Sequence, residues 1–224
     1  MSRIIVHVEG QTEEEFVNEV LSKHLQNFGH QISARLLGNS RNKIKRGGIR
    51  DWSIVRKDIT NHLNGDNACY STTMVDYYAL PLNWPGRAKA IELPFPKKIP
   101  HIQKELSKDI CLLMGKNFNP SRFIPYVMMH EFEGLLFSNC TIFANAIGQP
   151  DIASEFQMIR NQFTTPEEIN DSPTTAPSKR IENLVPEYQK PLHGNLAILE
   201  IGLNNIRSEC PFFHLWVTSL ENLK

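Results

Sequence analysis

The sequence predicts an α/β protein: a mostly parallel sheet flanked by helices and continued by a helical C-terminal extension. Three observations predict it. Residues 3–8 are apolar on both faces, as in a parallel strand covered on two sides. Strand-like and helical stripes alternate up to His130, and beyond it only helical spacing and loops remain.

In the first strand Ile4, Val6 and Val8 share one face and Ile5 takes the other. The strand closes at Glu9-Gly10, and Thr12, three residues before Glu15, has the spacing of a capping box. Phe16, Val17, Val20, Leu21, Leu25 and Phe28 then recur at helical intervals. Residues 31–37 return as a second strand, and the stripe Trp52, Val55, Ile59, His62 and Leu63 leads into a third at 69–75. This β-α-β rhythm favours right-handed crossovers. Five prolines, Pro81, Pro85, Pro94, Pro96 and Pro100, predict a loop over 80–100. Ile102, Leu106, Ile110 and Leu113 resume a helix, and 123–129 reads as a fourth buried strand with Pro125 near its early edge. Helices are expected near 152–163, 181–184, 196–206 and 212–220, with a Thr/Pro/Ser-rich stretch at 164–178.

The 224 residues suit one compact domain, with 1–137 as an α/β core and 138–224 as a mainly helical extension packed on it. Hydrophobic residues at 41% and charged ones at 21% exclude disordered and fibrous classes. No apolar run approaches the roughly 18 residues of a membrane span, and the start turns polar at His7, so a cytoplasmic protein is expected. Basic and acidic residues balance at 24 each, so contact with nucleic acid must come from a local patch. Cys69, Cys111, Cys140 and Cys210 are too scattered for a zinc or disulfide framework.

Ligands of parallel α/β sheets bind outside the carboxyl ends of the strands. Three places there are acidic: Glu9 with Glu13 across a four-residue turn, Asp76 after the third strand, and Glu131 with Glu133 after the fourth. Crowded like charges oppose their own ionisation unless a cation joins them. Oxygen-only donors suit Mg²⁺ or Mn²⁺, which commonly bind through carboxylates and substrate phosphate. The pattern therefore points to phosphodiester or phosphoryl chemistry.

Several motifs in order carry a resemblance: Val8-Glu9-Gly10 with Thr12-Glu13, Thr72 through Asp76-Tyr77-Tyr78 to Pro81, Ile124-Pro125-Tyr126, His130-Glu131-Phe132-Glu133-Gly134-Leu135-Leu136-Phe137, Pro166-Glu167-Glu168, and Thr175 through Lys179-Arg180-Ile181. Together they resemble the bacterial Toprim-like family known as domain of unknown function 4276, over nearly the whole chain. The resemblance implies a Toprim-type sheet and metal-dependent nucleic-acid cleavage, as in the overcoming-lysogenisation-defect nucleases. Glu9 and Glu13 look like that group's E-G-x-x-E pair, Asp76 like the first aspartate of its D-x-D motif, and Glu131 and Glu133 like its later acidic pair. Tyr78 stands where the second aspartate belongs, which leaves open whether one metal or two are held. The resemblance also implies an ABC-type ATPase partner in defence against phage. A homo-oligomer stays open, as does the choice of DNA or RNA.

On this reading Glu9, Glu13, Asp76, Glu131 and Glu133 hold Mg²⁺ or Mn²⁺, and Glu9 also takes a catalytic part. Lys190, or failing it Lys179, neutralises transition-state charge, with Arg180 as a competitor. Plainer readings stand beside these. Glutamates in a first helical turn favour the helix dipole, Asp76 suits a cap, Ser178 suits a helix start, and His130 suits a satisfied structural group. Arg41, Lys43, Lys45, Arg46 and Arg50, around Gly47-Gly48, form with Arg180 a candidate phosphate-tracking set, or else a solvated loop. Trp84 and Phe95 suit base stacking or packing. The rival functional reading is a catalytically inactive Toprim-like module that binds or regulates a partner.

Overall fold

The computed structural model describes residues 2–37, 48–169, 172 and 174–224. The chain forms two compact units, Met1–Val127 with Ser219–Lys224, and Met128–Thr218.

In the first unit, β1 (Ser2–Val8) leads into α1 (Gln11–Phe16), a π-helical turn at Val17–Leu21 and α2 (Ser22–Gln26). Then come β2 (His30–Leu36), α3 (Trp52–Gly65), β3 (Cys69–Asp76), α4 (Arg87–Ala90), α5 (Phe95–Met114), β4 (Phe123–Ile124) and β5 (Val127–Met128). The sheet runs β2-β1-β3-β4, with β5 also against β3. Its β1–β2, β1–β3 and β3–β4 pairings are parallel, as the two-faced apolar pattern predicts. Ile4, Val6 and Val8 are buried on one face of β1, and α3 lays its stripe of Trp52, Val55, Ile59 and Leu63 into the core.

Two expectations change. The predicted fourth strand breaks into β4 and β5, because Pro125 has no N–H to give the ladder. The Thr73 hydroxyl bridges the gap, donating to the Tyr126 carbonyl at 2.8 Å and accepting from the Tyr126 N–H at 3.0 Å. The proline-rich stretch is also more ordered than a loop, since α5 starts at Phe95 with Pro96 in its first turn. First-turn N–H groups have no helical acceptor, so proline loses nothing there. The unit closes on the chain end, where Tyr70 donates from its hydroxyl to the Lys224 carbonyl at 2.8 Å.

The second unit is helical among its described residues. After a 3₁₀ segment at Phe132–Ser138 come α6 (Cys140–Ala146), α7 (Ala153–Arg160), α8 (Pro177–Leu184), α9 (Lys190–Glu209) and α10 (Pro211–Glu221), the last ending in residues of the first unit. Phe143 and Phe156 stack with centroids 4.4 Å apart, and Phe137 meets both edge-on at 5.9 and 5.7 Å. Such pairs add to the area they bury. Helix α9 is kinked at Gly202, whose φ of 75° is costly for any side chain-bearing residue.

Candidate functional site

The acids singled out from the sequence lie in two groups, one in each unit. In the first, Glu9 follows the last residue of β1 and Asp76 ends β3. Val8 is in register with Met74, so both acids stand at the carboxyl end of neighbouring parallel strands. The Glu9 carbonyl accepts from the Gly48 N–H at 2.8 Å. The first helix begins at Gln11, with Gly10 rather than Thr12 as its cap. The capping pair is therefore not Thr12 with Glu15: Glu13 Oε2 accepts from the Gly10 N–H at 3.1 Å. A carboxylate oxygen has two lone pairs, so this bond leaves Glu13 able to take another donor or a cation.

Beyond Asp76 the chain places a buried Tyr77 and a 41%-exposed Tyr78, so the second of the two rings faces outward. Tyr77 draws in two cations that sequence reasoning passed over. Arg87 donates to its hydroxyl at 3.1 Å and stacks 4.0 Å from its ring centroid, and Lys98 donates to the same hydroxyl at 3.4 Å. The ring itself, one residue after an acid, was the available signal.

In the second unit Glu131 and Glu133 meet Lys190. The lysine Nζ lies 3.2 Å from Glu133 Oε2 and 3.9 Å from Glu131 Oε1. Glu131 Oε2 accepts from the Ser178 N–H at 3.0 Å, so a remote carboxylate, not the Ser178 hydroxyl, serves the N-terminus of α8. Glu133 is only 3% exposed. Burial raises its pKa and the Glu131 charge raises it further, while Lys190 holds it down. Tyr188, buried beside both glutamates, is held in its neutral form by burial and then by their charge.

Lys179 pairs with Glu182 one turn along α8 at 2.5 Å. Arg180 donates to the Thr175 carbonyl at 2.8 Å and lies over the Phe163 ring. Arg50 supplies its carbonyl to the Trp84 indole N–H at 2.9 Å. Trp84 is buried against Trp52 with centroids 5.0 Å apart, so its role there is packing. His130 is buried as well. Arg41, Lys43, Lys45 and Arg46 lie outside the described residues.

Among the described residues, the single group of three metal-capable side chains with ligand atoms all within 4.8 Å of one another is His7, Asp58 and His62. Glu9, Glu13 and Asp76 do not by themselves make a trio that tight. The sequence carried a signal for the new group, since Asp58 and His62 are four apart on one helix, but His62 reads there as part of the apolar stripe.

No curated protein matches the sequence. Among solved structures, the C-terminal region of the Xanthomonas campestris pv. campestris OLD protein aligns with 99% of this chain and 95% of its own length, at 11% identity and a TM-score of 0.42. A likeness that low carries no argument. The sequence itself does: the family model described as "Domain of unknown function (DUF4276)" matches residues 8–221, and the chain belongs to that family.

Proposed function

We propose that this chain is a Mg²⁺- or Mn²⁺-dependent nucleic-acid phosphodiesterase of Toprim type, the effector of a two-component anti-phage system with an ABC-type ATPase. The observation that carries the reading is the placement of Glu9 and Asp76 at the carboxyl ends of adjacent parallel strands, where α/β sheets expose their chemistry. The donors fit such ions: Glu9, Glu13 and Asp76 in one unit, and Glu131 and Glu133 in the other, offer oxygen alone, as hard cations prefer. A divalent ion held by such oxygens supplies charge neutralisation at a scissile phosphate.

The chain's own groups then have separable tasks. Lys190, 3.2 Å from Glu133, offers a cation for the negative charge that builds on the phosphate. Arg87 and Lys98, gathered on Tyr77 just past Asp76, suit contacts with a nucleic-acid backbone. No described helix is long and apolar enough to cross a membrane.

The test is cleavage of DNA and RNA with Mg²⁺ or Mn²⁺, alone and with the ATPase partner, by wild type and by Glu9→Ala, Asp76→Ala and Glu133→Ala proteins whose circular dichroism is unchanged. Each substitution should lower the rate by about a hundredfold or more. Full activity in a Glu9→Ala, Glu133→Ala double variant would end the assignment. Tyr78 favours a second reading, an inactive partner-binding module. It predicts no rise in melting temperature with Mg²⁺ or Mn²⁺, because an ion bound only by the native state must stabilise it.

A further inference from the structure

His7 lies on β1 with its side chain fully out of solvent, and neither ring nitrogen has a hydrogen-bonding partner among the described residues. Its Nδ1 is 3.6 Å from Asp58 Oδ2, beyond hydrogen-bond reach. A neutral imidazole has one donor and one acceptor, and both are left unserved here. The Nδ1 of His62 is likewise buried without a hydrogen-bonding partner.

We propose that His7, His62 and Asp58 form a nitrogen-rich site for a divalent transition ion of the zinc class, chemically separate from the carboxylate sets. Two imidazoles and one carboxylate are the donors such ions favour over Mg²⁺, and three protein ligands leave a position open. Asp58 and His62 share a face of α3 at i, i+4, and β1 brings His7 to them. The rings are tilted at 50° with centroids 5.4 Å apart, so they do not stack flat and their nitrogens can converge on one point. Arg35 orients the carboxylate, donating from Nε to Asp58 Oδ2 at 2.8 Å and from Nη2 to Oδ1 at 3.2 Å. Each oxygen keeps a second lone pair, and the guanidinium acts as the outer partner that ligating carboxylates commonly have. His62 also lines a cavity of about 540 Å³ with Ser33, Asn61 and Asp66, which supplies a way in.

The experiment uses the full chain stripped with a chelator, titrated with Co²⁺ under visible absorption and with Zn²⁺ by calorimetry. One equivalent of Co²⁺ should give ligand-field bands that Zn²⁺ abolishes. His62→Ala and Asp58→Asn should each weaken Zn²⁺ binding by about tenfold or more, while Asp151→Asn, at an exposed position of the other unit, leaves it unchanged. The proposal is overturned if wild type shows no stoichiometric Co²⁺ spectrum, or if the spectrum and the affinity persist in both variants. The wild-type spectrum decides even where a variant fails to fold.

Discussion

Glu133 and Glu167 are both buried glutamates of the helical unit, 3% and 2% exposed, yet they are held by opposite means. Glu133 meets a lysine at 3.2 Å. Glu167 instead accepts from the Phe212 and Phe213 N–H groups, at 3.0 and 2.9 Å, at the start of α10. Two backbone dipoles compensate less than a full charge, and burial pushes the Glu167 pKa from 4.5 up to about 7. Glu167 ties one helix end to a loop. Glu133 sits with a second acid and a 43%-exposed lysine, an arrangement that leaves charge within reach of solvent. Burial of an acid thus says little about function until its partner is known.

The largest expected effect asks what holds Glu133 in place. Phe137, three residues before α6 begins and in the same 3₁₀ segment as Glu133, is braced by Phe143 and Phe156. Phe143→Ala should cost about 3 to 5 kcal/mol in chemical denaturation, since a fully buried ring leaves a cavity. Equal loss from an exposed control such as Leu215→Ala would contradict the packing account.

Next comes the pH signature of Glu167. Its folded pKa is raised, so its contribution to stability is complete at low pH and is lost as pH rises from 4.5 through about 7. The shift amounts to about 3 kcal/mol. Glu167→Gln should remove that slope, so thermal melts of the two proteins between pH 4.5 and 8 should diverge in favour of the variant as pH rises. Parallel curves would mean that Glu167 titrates as an ordinary carboxylate.

Removing the cation sharpens the contrast from the other side. Lys190→Met should destabilise at neutral pH by about 2 kcal/mol, the cost of stranding a buried charge reduced for the lysine's exposure. Lys190→Arg should restore most of it, and no change in either would show that Glu133 does not depend on this pair. The smallest effect belongs to the first unit. A Cβ at Gly10 would lie 2.9 Å from Glu13 Oε2, the mobile end of a side chain that can swing aside. Gly10→Ala should therefore cost less than about 1 kcal/mol, mainly through a poorer cap, and a larger loss in urea unfolding would reveal a rigid Glu13.

Much of the architecture was legible along the chain. The two-faced strand at the start, the stripe of α3 and the helices after His130 are all set by side-chain spacing within a few residues. The proline-rich stretch misled because proline tolerance depends on its place within a helix, which spacing does not reveal. The acids of the first unit stand where their strands end, so they too were readable.

What the sequence determined by itself is local: which segments pair as parallel strands, which faces are apolar, and which acids close the strands. Only the tertiary structure decided that Glu133 is met by Lys190, 57 positions on, that Glu167 caps a helix 45 positions on, and that His7 faces Asp58 and His62. The physical reason is that periodicity records which way a side chain points from its own element. Its partner, and with it its charge state, is set by which elements pack together.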